Sequence, residues 1–333
     1  MNQSSDTTSD SPPHTPVTLA IYRELRLGMV VIMVMLAAAV VIDWRSAKHL
    51  QLALSEYYYT SAHSVFIAAL LALSTLFFIY KGRTDTEDAF LTLAGVCTFT
   101  AALVPQVRPR VFGDNGLPPE YKVESVILPN VSAVIVALFL GWLLAMGQYR
   151  LTHTRQTRSP GGTLALYFLR LVVGLGLIVL VVPRFRPLFS KYAHGIAGTL
   201  MIFSFIATVL CAAYVAGREQ ESESSHRHRY RRIYRVIAVG MLATLIAVVT
   251  LHIARPDWDR GLWIIVLETL LILEFAAYWV VQSIELWDTP DPRERVSEAA
   301  RRRLAEGQTK RGLIDELVQA RKRPSGQRLL PLL

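Results

Sequence analysis

The run LWIIVLETLLILEFAAYWVVQSIELW, residues 262–287, decides the fold class of this chain. Its charged side chains are Glu268, Glu274 and Glu285, and most of its other residues are large and apolar. A helix needs about 20 apolar residues to cross the roughly 30 Å of hydrocarbon in a bilayer. The run therefore predicts a transmembrane helix.

Seven similar apolar runs precede it along the chain. Together they predict an all-α, polytopic helical membrane protein with about eight transmembrane helices. Seven spans is the alternative, because the run 89–104 is short and contains three threonines. The eight predicted spans are 27–42, 64–80, 89–104, 126–147, 163–182, 195–216, 233–252 and 262–287.

The composition agrees with a membrane protein. Of the 333 residues, 52% are hydrophobic and 18% are charged, whereas about a quarter of a soluble domain is charged. The formal net charge of +9 does not indicate nucleic-acid binding, because no binding motif accompanies it and basic residues normally flank membrane spans. The expected partner is the lipid bilayer. The sequence leaves the oligomeric state open.

Three regions are predicted. Residues 1–19 are rich in Ser, Thr, Asp and Pro, which is typical of a disordered N-terminal tail. Residues 20–288 form the transmembrane bundle. Residues 289–333 form a basic tail whose short amphipathic helix either rests on anionic lipid head groups or is simply solvated.

The distribution of basic residues predicts the orientation. With the N-terminus inside, the inner loops hold 12 Arg and Lys residues and the outer loops hold 10. The five arginines between Arg293 and Arg303 raise the inner count to 17. Positive charge stays on the cytoplasmic side, so both termini are expected in the cytoplasm and the protein in the inner, or plasma, membrane of a bacterial cell.

Sequence similarity between the two halves of the chain indicates a 4+4 parallel repeat. Thr60-Ser-Ala-His63 opens the second span and Lys191-Tyr-Ala-His194 opens the sixth. Both spans end in a loop that contains Gly-Arg, at 82–83 and at 217–218. Some transporters are built from such repeats, and chance similarity between apolar helices is the alternative.

Ionisable residues inside spans are costly and need a reason. Arg170 in the fifth span and Glu274 in the eighth are at similar depths, so they are candidates for an intramembrane ion pair. A proton or substrate pathway through Glu274 and exposure to a water-filled cavity are the alternatives. Arg235 and Glu285 are near the inner surface, where their side chains are expected to reach the head groups.

Three histidines are predicted at the outer membrane face, on three different spans. His63, His194 and His252, with Glu268 nearby, form a candidate zinc site, because a catalytic zinc takes about three such ligands and a water. The chain has no HxxxH or HExxH pair that would hold two ligands together locally. An interfacial role for each histidine is the alternative.

Three consecutive tyrosines precede the second span. Successive residues of a helix point about 100° apart, so Tyr57, Tyr58 and Tyr59 cannot all face lipid. At least one is expected to face the bundle or its outer mouth. With Glu56 and Ser61, they are candidate ligand contacts at that mouth.

Four stretches carry a resemblance to known proteins. EYYYTSAHSVFIAALLALSTLFFIYKG (56–82), EDAFLTLAG (87–95), RRIYRVIAVG (231–240) and the last span resemble a group of uncharacterised bacterial, mostly actinobacterial, multi-pass proteins with a YYYT…VF…GAL motif. The chain is also distantly similar to the superfamily of alkaline ceramidases and progestin/adipoQ-type receptors. That similarity implies a helical bundle that binds zinc through three histidines and hydrolyses lipid amides.

Two functions follow. The first is a non-enzymatic integral membrane protein, either a transporter-like or a lipid-binding helical bundle. The alternative is a metal-dependent hydrolase of lipid amides or esters at the outer membrane face. The first needs no cofactor, and the second needs zinc.

The predicted topology can be tested with reporter fusions. A reporter fused after Arg303 is expected to behave as cytoplasmic, and one inserted near Asn115 as external, because positive charge stays inside. Finding both reporters on one side would mean a miscounted span. The run 89–104 would then be the first to re-examine.

Overall fold

The computed structural model describes residues 16–106, 128–151, 159–216, 225–255 and 261–287. Within these residues the protein is helical, with no strand. Two short 3-10 helices, Leu54–Tyr59 and Pro183–Phe185, accompany the α-helices. The α-helices are α1 (Pro16–Ala47), α2 (His63–Ile79), α3 (Asp85–Leu103), α4 (Leu128–Leu151), α5 (Pro160–Val181), α6 (Arg186–Val215), α7 (Ser225–Ala254) and α8 (Trp263–Glu285).

Six of these helices are long and apolar enough to cross a membrane: α1, α4, α5, α6, α7 and α8. The protein is therefore an α-helical, multi-pass membrane protein, as predicted. The prediction of eight spans exceeds this number. The helix α2 is apolar but has only 17 residues, and α3 begins with Asp85, Glu87 and Asp88.

The region boundaries also differ from expectation. The helix α1 begins at Pro16, so residues 16–19 of the predicted tail 1–19 are helical. The rest of that tail and the predicted basic tail 289–333 lie outside the described residues. The 4+4 repeat is not tested by the helix contacts and stays a prediction.

Six helices pack in a closed ring. In order around it, α1 contacts α2, α2 contacts α3, α3 contacts α6, α6 contacts α7, α7 contacts α8, and α8 returns to α1. The helix α5 packs outside the ring against α3 and α6, and α4 touches α3. The largest cluster of buried side chains fills the inside of the ring, with members from all six of its helices.

Local sequence explains where two helices of the bundle begin. The side chain of Thr84 accepts a hydrogen bond from the backbone N–H of Glu87, which caps α3. Three acidic residues follow in its first turn, where the helix dipole favours negative charge. Ser159 caps α5 in the same way, and Pro160 occupies the first helical position.

The start of α5 packs tightly against the start of α3. A Cβ atom added at Gly162 would lie 2.4 Å from the Cβ of Asp85 and 3.2 Å from its backbone carbonyl carbon. The backbone N–H of Ser159 also donates to the Asp85 carboxylate at 3.1 Å. Only glycine at position 162 allows this approach.

We predict that Gly162→Ala lowers the free energy of unfolding by about 1–3 kcal/mol, because overpacking forces neighbouring backbone apart. Thermal unfolding in detergent measures the change. Gly174→Ala in the same helix is the matched control, because a Cβ there would meet nothing within 4 Å. Equal stability of the two variants would contradict the close α3–α5 contact.

Candidate functional site

One face of α8 lines the inside of the ring. Its residues follow the alternating spacing of three and four that keeps side chains on one side of a helix. The face carries carboxylates at both ends and apolar or neutral polar side chains between them. Its members are Glu268, Leu271, Phe275, Tyr278, Gln282 and Glu285.

At one end of this face is a buried polar group that we call the Arg83 cluster. Arg83, just before α3, forms a buried ion pair with Glu285. Tyr234 of α7 donates its hydroxyl to Glu285 and lies 3.2 Å from the Arg83 guanidinium. The cluster is Arg83, Glu87, Tyr234, Tyr278, Gln282 and Glu285.

A hydrogen bond in this cluster crosses the ring. Tyr278 of α8 donates its hydroxyl to the Glu87 carboxylate of α3 at 2.9 Å, and these two helices are not neighbours in the ring. Glu87 also accepts the backbone N–H of Arg83 at 2.9 Å. Gln282 donates to the Tyr278 oxygen at 3.0 Å. The cluster therefore spans the interior of the bundle at this end.

The first helix closes the same end. Arg26 is fully buried and donates to the backbone carbonyl of Leu286, just after α8, at 2.7 Å. One turn earlier, Arg23 donates to the carbonyl of Trp287 at 2.6 Å and lies over its indole ring. These bonds satisfy carbonyl groups that a helix end leaves without an intrahelical partner.

Next along the axis is a layer of three aromatic rings, which we call the phenylalanine layer. Phe77 of α2, Phe205 of α6 and Phe275 of α8 are nearly inaccessible to solvent. Their ring centroids lie 5.8 Å apart for Phe77 and Phe205, 6.0 Å for Phe77 and Phe275, and 4.0 Å for Phe205 and Phe275. Three non-adjacent helices of the ring thus meet at its centre.

The opposite end, the Tyr57 end, is closed by the segment between α1 and α2. The backbone N–H of Leu54 donates to the Glu268 carboxylate at 2.7 Å. The N–H of Leu52 donates to Glu56 at 2.9 Å, and the carbonyl of Leu52 accepts the N–H of Ile265 at 2.9 Å. Two carboxylates are thus held by N–H groups of one short segment.

Of the five candidate mouth contacts, Glu56, Tyr57 and Tyr58 are buried, Tyr59 is partly buried and Ser61 is exposed. Tyr59 donates to the carbonyl of Gln106 at 2.6 Å, and Ser61 donates to the carboxylate of Asp43. Burial raises the pKa of Glu56 above its usual range, and the Leu52 N–H and His49 oppose this rise. This end of the bundle therefore holds carboxylates, Asp43 and Glu56, that are buried.

The predicted zinc site is not assembled. His63 bonds the carbonyl of Tyr58 through Nδ1, and His194 bonds the carbonyl of Val104 in the same way. The ring of His252 stacks on Trp263, and Glu268 accepts the N–H of Leu54. Across the described residues, no three His, Cys, Asp or Glu side chains are grouped to hold a metal ion.

The predicted ion pair between Arg170 and Glu274 is also not formed. Arg170 is exposed on α5, outside the ring, where its guanidinium lies 6.0 Å from the Tyr167 ring. Glu274 accepts the Thr244 hydroxyl of α7 at 2.9 Å. The two residues are at similar depths on helices that lie on different sides of the bundle.

Sequence reasoning also misplaced Glu285. It was expected to reach the head groups, but it is buried against Arg83 and Tyr234. The signal that could have found it is the spacing on α8, which aligns Glu285 with the aromatic residues Phe275 and Tyr278 rather than with the lipid-facing side.

Comparison of the chain with family models, with curated proteins and with solved structures finds no match. The two resemblances described from the sequence therefore stay expectations.

We predict that Glu285→Gln lowers the free energy of unfolding by about 3–5 kcal/mol, because it leaves Arg83 buried without its counter-charge. Adding Arg83→Met is expected to recover part of this loss, with a coupling of about 1–3 kcal/mol. Thermal unfolding in detergent measures both values.

A second cycle, Arg170→Leu with Glu274→Gln, is the control. Its two effects are expected to add, because these side chains do not pair. Additive losses at Arg83 and Glu285 would show that this buried pair contributes nothing specific.

Proposed function

We propose that this protein is a transporter-like bundle that carries protons or small cations along the axis of its six-helix ring. The observation that supports this most is the inward face of α8, with a carboxylate at each end and the phenylalanine layer between them. Carboxylates inside membrane bundles are costly and commonly belong to ion or proton pathways.

The ion pairing of the three α8 carboxylates favours transport over a purely structural role. Within the described residues, neither Glu268 nor Glu274 forms an ion pair, whereas Glu285 does. Their recorded partners are the Leu54 N–H and the Thr244 hydroxyl, which are both neutral. A carboxylate without a fixed counter-charge is available to bind a mobile proton or cation.

The charge at the Tyr57 end favours a cation over a lipid phosphate as the cargo. Asp43, Glu56 and Glu268 are all on this side of the ring, and Asp43 and Glu56 are buried. Negative groups concentrate cations and repel anionic head groups. This favours the transporter-like form of the function over the lipid-binding form.

The proposed orientation places the Arg83 end in the cytoplasm and the Tyr57 end outside, in a bacterial plasma membrane. It is supported by the basic residues behind the last span. Cations would then enter the bundle from the end that buries Asp43 and Glu56.

The test is ion flux in proteoliposomes. The purified protein is reconstituted, a gradient of H⁺, Na⁺ or K⁺ is imposed, and flux is read with a dye for that ion. Wild-type protein is expected to carry at least one of them. Glu268→Gln is expected to lower that flux by about tenfold or more, because it removes the charge while keeping the shape.

Glu24→Gln is the matched control, because Glu24 is exposed on α1, and it is expected to leave the flux unchanged. No flux of any of the three ions with well-folded wild-type protein would overturn the proposal. Equal loss in both variants would show that the effect is not specific to the axis.

A further inference from the structure

The phenylalanine layer lies between the two polar ends of the ring. On α8, Phe275 is about two helical turns, or roughly 10 Å, from Glu268 and about 15 Å from Glu285. The cross-ring bond between Tyr278 and Glu87 begins one turn from Phe275, on the Arg83 side. A species that moves along the axis therefore has to pass these three rings, together with the other buried side chains that fill the ring.

The layer is apolar and tightly closed. Phe77, Phe205 and Phe275 have exposed fractions of 1%, 6% and 1%. Phe205 and Phe275 are nearly parallel, with an interplanar angle of 13°, while Phe77 meets them at 64° and 60°. An apolar constriction of this kind excludes water and ions until it widens.

Each ring of the layer is carried by a different helix. Phe205 is on α6 and Phe275 is on α8, the two helices that flank α7 in the ring. The contact between Phe205 and Phe275 is one of stacked apolar rings and involves no hydrogen bond, so separating these two rings breaks none between them. The polar clusters at both ends, in contrast, are fixed by hydrogen bonds.

We propose that Phe77, Phe205 and Phe275 form the gate of this axis, closed by the stacking of Phe205 on Phe275 and opened when α6 and α8 separate. The inference rests on the proposed transport function and names the residues that control passage. It assigns to these side chains a role beyond filling the core.

The leak is the rate at which the same ions move down the imposed gradient through reconstituted protein. It is measured for each variant relative to wild type, alongside thermal stability. Phe205→Ala is expected to raise the leak by about tenfold or more, because it removes one wall of the constriction. Phe205→Leu keeps an apolar side chain in place and is expected to leave the leak at the wild-type rate. Phe203→Ala is the matched control on α6, because Phe203 is 47% exposed and outside the layer.

A second variant covers the case in which Phe205→Ala does not fold. Phe205→Tyr keeps the ring and adds a hydroxyl that can bind water in the layer, so it is expected to raise the leak by about threefold or more. A folded Phe205→Ala protein with the wild-type leak would overturn the gate. If alanine does not fold, a wild-type leak in the tyrosine variant would do the same.

The outcomes separate the two proposals. Ion flux in the wild type, with no higher rate in the folded Phe205 variants, would leave the transport function standing and refute the gate. A leak in the Phe205 variants without wild-type flux would support a gated axis and refute transport in the resting protein. No ion movement in any variant would refute both.

Discussion

The buried ion pair between Arg83 and Glu285 organises one end of this bundle. Both side chains are removed from water, so each must be matched by the other and by further hydrogen bonds. Tyr234 provides one such bond to Glu285. Because Arg83 precedes α3 while Tyr234 and Glu285 are on α7 and α8, satisfying one pair of charges places three helices. The cross-ring bond from Tyr278 to Glu87 then becomes geometrically available.

The interior of the ring is layered as a result. A polar layer, an aromatic layer and a second polar layer follow one another along α8, on residues that share one face of the helix. Neither polar layer is open to bulk water, since backbone of the 51–54 segment covers Glu268 and the carbonyls after α8 are covered by Arg23 and Arg26. The arrangement concentrates charge where the surrounding medium screens it least.

Much of the fold could be predicted from the sequence, because the length of an apolar run reflects the thickness of the bilayer. All eight runs correspond to helices, although α1, α6 and α7 begin earlier than predicted, where polar residues extend each helix beyond its apolar part. The lateral order of the helices could not be predicted in this way. The position of a residue within its apolar run gives its depth in the membrane, and by depth Arg170 is near Glu274 and the three histidines are at one face. Depth does not reveal which helices are neighbours. The ring order separates Arg170 from Glu274, and it makes Glu285 part of the interior.

The closure of the ring by its first and last helices has a consequence for biosynthesis. The helix α8 emerges from the ribosome last among the described helices. It supplies Glu285 to Arg83 and Tyr278 to Glu87, and the residue after it supplies the Leu286 carbonyl to Arg26. Until then, these charged groups lack the partners that α8 and Leu286 supply, and the ring is not closed between α1 and α7. Assembly of this protein is therefore completed only after translation of the whole helical region. A chain stopped before α8 therefore lacks the partners that accompany these charged side chains in the complete bundle.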